Sequence, residues 1–171
     1  MKKVFVNGYG SIGSRISKFI NDDPEIELIG VGKYSPDDRV DDAITNGMSV
    51  YVPNSKLDNF SAFKISGSIE SALDDCDLVI DASPEGNGYK NKKNLYEPKN
   101  IMAVYQGGES VIGEKSVSDL LFNSRVNYDS ALDKTHVMQG SCNVTGMGKI
   151  LEPLRKAYSS KLLRFDVTLV R

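Results

Sequence analysis

The sequence predicts an α/β fold: a Rossmann-type doubly wound, mostly parallel sheet, followed by one further helix and strand. Three observations carry that expectation. Short apolar runs at 4–6, 26–32, 77–81 and 101–105 read as buried strands. Helical patterns alternate with them, as crossovers between parallel strands require. The first run opens directly into Gly8-Tyr9-Gly10-Ser11-Ile12-Gly13, a G-x-G-x-x-G set between a strand and a helix.

That turn is justified residue by residue. Gly8 makes the tight turn, Gly10 lets a pyrophosphate approach the backbone, and Gly13 lets helix and strand pack closely. The free N–H groups and positive end of the helix starting near Ser11 would hold the pyrophosphate, with Ile12 beside them. The helix places Ile12, Ile16, Phe19 and Ile20 on one face. Asn21 to Pro24 is a turn, and Ile26 to Gly32 is the second strand. An acid near the end of this strand usually takes the ribose 2′-hydroxyl of NAD. Here Lys33 and Tyr34 stand there, with Asp37 and Asp38 a little further on. A lysine suits the 2′-phosphate of NADP, so NADP is the expected cofactor and NAD the alternative.

Further along, 41–46 suits a short helix, while 49–53 and 63–65 suit short strands. Ser68 begins a capped helix. The strand 77–81 ends in a turn, 82–88, at the sheet edge where ligands bind. Residues 89–96 suit a helix stopped by Pro98, and 101–105 a strand followed by Gln106. Weaker strand patterns cover 118–126 and 135–139. A helical pattern then runs through Ile150, Leu151 and Leu154, and alternation from Phe165 to Val170 predicts a final strand.

Composition narrows the class. At 171 residues the chain fits one ordinary domain with part of a second, divided at 1–139 and 140–171. Its 40% hydrophobic and 26% charged content belongs to a folded globular chain. A net charge of −2 argues against nucleic acid as a partner. No apolar run approaches the ~20 residues that span a bilayer, so no membrane partner is expected. The N-terminus is already a strand, without a signal-peptide core. Cys76 and Cys142 need no disulfide, which points to a reducing, cytoplasmic compartment. No metal-ligand set is read.

A second chemical site follows the strand at 135–139. Cys142 falls at a helix N-terminus, where the dipole and unpaired N–H groups favour a thiolate. A thiolate is the nucleophile for covalent chemistry on an aldehyde or acyl group. The N–H of Cys142 and the polar Asn143 would stabilise an oxyanion. Cys76, ahead of a buried strand, reads as structural. His136 at a strand start reads as surface or structural.

These motifs together resemble the N-terminal half of the archaeal type of phosphorylating glyceraldehyde-3-phosphate dehydrogenase. The resemblance runs from Val4 to Arg171, and it implies that the closing helix and strand are the first helix and strand of an incomplete catalytic domain. It rests on residues 6–13, 32–36, 51–53, 81–86, 106–109, 127–128, 131–132 and the Ser-Cys-Asn-Val-Thr of 141–145. It implies conversion of D-glyceraldehyde 3-phosphate, phosphate and NAD(P) to 1,3-bisphosphoglycerate. Cys142 would be the nucleophile, passing through a hemithioacetal and a thioester. Ser141, Asn143, Thr145 and Arg171 would lie on the substrate and phosphate side. Gly86 and Gln106 would lie near the cofactor's ribose and nicotinamide.

Family members are about twice this length and carry the histidine base in the second half, so a second polypeptide completing the enzyme is the expected partner, and an oligomer the expected assembly. Val144 stands where the family has threonine, which removes one phosphate-binding hydroxyl. Two alternatives stay open: a non-catalytic NADP-binding module or truncated enzyme, and, with a poorer fit of its motifs, an aspartate-semialdehyde dehydrogenase-like enzyme.

Overall fold

The computed structural model describes residues 1–106, 108–161, 164–168 and 170. Strands β1 (Lys2–Asn7), β2 (Ile26–Gly32), β3 (Val50–Val52), β4 (Gly67–Ser68), β5 (Leu78–Asp81), β6 (Met102–Tyr105), β7 (Leu121–Phe122) and β8 (His136–Gln139) form one sheet. Its order is β4-β3-β2-β1-β5-β6-β8-β7. Every pairing is parallel. The short outer strands leave little open edge for another chain to pair with.

Among the described residues five α-helices connect or follow the strands: α1 (Ser11–Asn21), α2 (Arg39–Thr45), α3 (Ile69–Ala72), α4 (Asn87–Asn91) and α5 (Cys142–Tyr158). The core is split by the sheet, as double winding demands. Val4 and Val6 of β1 pack one face with Ile20 of α1, Val40 and Ala43 of α2, and Phe60. Phe5 points the other way, among Ile69 of α3, Leu73, Val79, Tyr96 and Tyr105. Full burial of Phe5 contributes roughly 1.5–3 kcal/mol. The strand order reverses direction between β1 and β5, which leaves a crevice at their carboxyl ends.

Most predicted elements form, and the departures have local causes. Ser68 caps α3, its Oγ accepting from the Ser71 N–H at 3.0 Å. The predicted strand at 63–65 does not form. Ile65 donates its N–H to the Phe63 carbonyl at 3.1 Å, a three-residue turn, so no ladder starts until Gly67. Only Leu121–Phe122 of the stretch 118–126 becomes strand. Past it, Asn123 turns the chain by accepting the Arg125 N–H at 3.0 Å.

The buried face of α1 is Gly13, Ser17 and Ile20, with Ile16 partly covered. Ile12 and Phe19, predicted on that face, are 50% and 77% exposed. Gly13 sits against the Gly8 carbonyl, and that contact fixes which side of the helix turns inward. The predicted final strand is absent among the described residues of 165–170. Phe165 and Val167 stand exposed, with no neighbouring strand to pair with, and Leu169 lies outside the described residues.

Candidate functional site

A cleft of about 1020 Å³ opens at the carboxyl ends of β1, β2, β5, β6 and β8. The turn between β1 and α1 forms its floor. Gly8 has φ +115°, and a side chain there would run into the backbone of Ala82 and Ser83 at 2.7–2.8 Å. A Cβ on Gly10 would meet nothing within 4 Å. α1 begins at Ser11 with no side-chain cap and no acidic residue in its first turn. Its first N–H groups therefore lack the usual partners, at the positive end of the helix dipole. Open space over Gly10 and uncapped amides are what a dinucleotide pyrophosphate needs, so these residues fit that group.

Beneath the floor lies a buried polar network that the sequence reading missed. Asp81 closes β5 at 2% exposure. Its Oδ1 accepts from the Ser83 N–H at 3.0 Å and the Ser83 hydroxyl at 2.5 Å. Its Oδ2 accepts from the Tyr96 hydroxyl at 2.6 Å and the Asn91 amide at 2.9 Å. Asn7 at the end of β1 donates to Tyr96 at 2.6 Å and accepts from the Tyr34 hydroxyl at 3.0 Å. The network ties the ends of β1 and β5 to the segments flanking the cleft. Burial, with Asp81 adding to it, pushes the Tyr96 phenol well above its usual range, so it stays a donor.

The β2 side of the cleft carries Lys33, Tyr34, Asp37 and Arg39. Lys33 is 6% exposed, and its Nζ donates to both Asp37 oxygens, at 2.7 and 2.8 Å. Burial works to raise the Asp37 carboxyl, but Lys33 and the Arg39 N–H outweigh it and hold the group below the usual carboxylate range. Arg39 was not singled out from the sequence, because it lies beyond the loop after β2, at the start of a helix.

The opposite wall is α5 with the end of β8. Ser141 caps the helix, its Oγ accepting from the Val144 N–H at 3.4 Å. Cys142 is the first helical residue and is exposed, and Asn143 Oδ1 lies 3.9 Å from its Sγ. Cys142, Thr145, Gly146 and Lys149 are spaced three, four and seven apart, share one helix face, and all line the cleft. The Thr145 hydroxyl is engaged within the chain. It accepts from Gln139 Nε2 at 2.8 Å and donates to the Gly140 carbonyl at 3.2 Å, which anchors the start of α5 to β8. Lys149 and Gln139 are lining residues that the motif reading did not pick out.

The remaining candidates divide. Gln106 and Gly108 line the cleft. Gly86 does not: its N–H is held by Glu109 Oε1 at 2.7 Å, and the same oxygen takes the Gly88 N–H at 2.9 Å. Arg171 lies outside the described residues. His136 starts β8 at the end of the sheet away from the cleft and pairs with the Tyr105 hydroxyl at 3.0 Å. Burial, followed by the nearby Lys92 charge, lowers its pKa. Cys76 donates to the Leu78 carbonyl at 3.1 Å, and burial pushes its thiol up to about 11. Among the described residues no helix is long and apolar enough to cross a membrane.

No family model matches the chain. Similar proteins do exist among curated sequences. Glyceraldehyde-3-phosphate dehydrogenase of Halobacterium salinarum is 37% identical over 174 aligned residues, covering 100% of this chain and 50% of that protein. The Methanothermus fervidus enzyme of the same name is 36% identical, covering 96% and 48%. That of Hyperthermus butylicus is 40% identical, covering 85% and 41%. Among solved structures, aspartate semialdehyde dehydrogenase with NADP from Candida albicans superposes with a TM-score of 0.62 at 17% identity. It covers 92% of this chain and 48% of that one, and shows a shared fold. The chain thus spans about half the length of the curated relatives it matches, and by sequence it belongs with the archaeal glyceraldehyde-3-phosphate dehydrogenases, corresponding to their N-terminal half.

Proposed function

We propose that this chain is the cofactor-binding and nucleophile-bearing part of an NAD(P)-dependent phosphorylating glyceraldehyde-3-phosphate dehydrogenase. One observation carries the proposal: a single cleft is lined by both Gly8 to Ile12 of the glycine turn and Cys142. The names of the relatives support the choice of substrate, and the open cleft beside Cys142 is consistent with it.

Ser11, Ile12 and Gly13 hold the pyrophosphate through the uncapped start of α1. When bound, NAD(P) supplies the two-electron acceptor that converts an aldehyde adduct to an acyl one. Cys142 Sγ forms a bond to the aldehyde carbon, giving a thiohemiacetal, and after oxidation carries the acyl group as a thioester. Inorganic phosphate then forms the new C–O bond as the C–S bond breaks and the thiolate leaves. The Cys142 N–H, at the start of α5, would stabilise the developing oxyanion; Asn143, which the sequence reading also put there, does not line the cleft and turns its Oδ1 toward Cys142 Sγ at 3.9 Å. Thr145, bonded to Gln139 and Gly140, holds the start of α5 in place, and Ser141 caps it. The base that takes the thiol proton comes from the equivalent of the relatives' second half, on a second polypeptide or a longer form of this one. His136 does not serve, being at the other end of the sheet.

The test is reconstitution. The chain is combined with the polypeptide equivalent to the relatives' second half, and NADPH formation is followed with glyceraldehyde 3-phosphate and phosphate. Cys142→Ser is expected to lower turnover by at least about a thousandfold while leaving nucleotide affinity within about twofold. Activity that survives the substitution overturns the mechanism. Nucleotide binding without turnover in every reconstituted form supports a non-catalytic binding module instead.

A further inference from the structure

We infer that Arg39, not Lys33, reads the 2′-phosphate that distinguishes NADP from NAD; the inference rests on the dinucleotide-binding reading of the cleft. Three charged side chains line the β2 side of that cleft. Two of them cancel. The Lys33 side chain is 7% exposed, and its ammonium is bound by both oxygens of Asp37 at 2.7 and 2.8 Å. Asp37 Oδ1 also takes the Arg39 N–H at 3.0 Å.

A phosphate brought up to Lys33 would meet the carboxylate as well as the ammonium. At equal distance the two nearly cancel, and releasing Lys33 would leave Asp37 facing the phosphate unpaired. The pair is best described as a strut that holds the loop after β2. Arg39 is different. It is exposed, it lines the same cleft, and among the described residues it makes no ion pair. Lys149, the remaining cation on the cleft, stands across it on α5, about two turns beyond Cys142. A guanidinium offers a planar fork of donors that matches two phosphate oxygens, and it keeps its charge at any working pH.

Calorimetric titration of the 171-residue chain with NADP and with NAD, and with 2′,5′-ADP against AMP, tests this. Arg39→Ala and Arg39→Gln are expected to lower the NADP-to-NAD affinity ratio by about tenfold or more, chiefly by loss of NADP binding. The double substitution Lys33→Met with Asp37→Asn replaces an ion pair of zero net charge by an uncharged pair, so the net charge of the β2 side is unchanged; Asn keeps an acceptor for the Arg39 N–H. It is expected to hold the ratio within about twofold even where both affinities fall. A ratio indifferent to Arg39, or a tenfold fall in the double variant, overturns the inference while leaving the dinucleotide reading intact. If the unmodified chain binds neither nucleotide, the dinucleotide reading itself fails, and the inference with it.

Discussion

At the scale of single residues, the cleft depends on polar groups that never reach its surface. Asp81 offers two carboxyl oxygens and receives four donors, from Ser83 twice, Tyr96 and Asn91. Removing the acceptor leaves the Ser83 and Tyr96 donors buried without it, while the Asn91 amide keeps the Ser83 hydroxyl at 3.3 Å. Each buried orphan costs about 1–3 kcal/mol. Asp81→Ala is therefore expected to destabilise the fold by about 3 kcal/mol or more, read as a lower urea midpoint at unchanged slope. A loss under about 1 kcal/mol would mean that the network is not what holds β1 to β5 here. None of this was legible in the sequence. Asn7 and Asp81 each close an apolar strand, and a polar residue in that position reads as the strand's exposed end. The glycine turn was legible because backbone chemistry leaves few substitutes: Gly8 at φ +115° and Gly13 against the Gly8 carbonyl admit no side chain. Lys33 was legible as a cation at the end of β2, where it lines the cleft, but its pairing with Asp37 was not, since pairing across one loop turn is a matter of shape.

At the scale of elements, hydrophobic spacing located strands better than it located helix faces. Strands 26–32, 78–81 and 102–105 follow their apolar runs closely because both faces of a parallel strand are covered. The face of α1 was misjudged because one contact, Gly13 on Gly8, outranks the bulk of Ile12 and Phe19. α5 is the extreme case. Its apolar residues Ile150 and Leu154 are 65% and 38% exposed, while the buried residue is Glu152, bonded to Arg155 at 2.7 and 2.8 Å. The helix also contains Pro153, which removes the N–H that would bond the Lys149 carbonyl. Pro153→Ala restores that bond. Hydrogen exchange of the amides in 150–158 is expected to slow by at least tenfold, corresponding to about 1.4 kcal/mol or more of added helix stability. Unchanged exchange would show that α5 is already limited by its docking on the sheet rather than by its backbone.

At the scale of the whole molecule, the titrating groups set a window of stability with two different limits. On the acid side the carboxyls of Asp37, Asp77, Asp119, Glu97 and Glu152 are all held below their ordinary values by neighbouring donors or cations. The unfolded chain takes up those protons first, so stability is lost as pH falls below the unfolded carboxyl values of 3.8 and 4.5. His136 acts earlier. Its burial lowers its pKa from 6.5, so the unfolded chain gains a proton there before the folded one does. Stability therefore begins to fall below pH 6.5 through this single histidine. On the alkaline side Cys76 and Tyr9 are raised, chiefly by burial, to about 11 and about 12. The unfolded chain loses those protons first, and stability falls as pH rises above the unfolded thiol value of 9.0. The urea midpoint should accordingly be flat between the histidine and thiol values, 6.5 and 9.0, and decline on both sides. Because the sequence holds one histidine, the two parts of the acid limb can be separated. His136→Gln keeps an acceptor for the Tyr105 hydroxyl and removes the titration, so the acid decline should start near 4.5 rather than 6.5. An onset that stays at 6.5 would assign the early decline to another group and leave His136 without a part in the stability of the sheet.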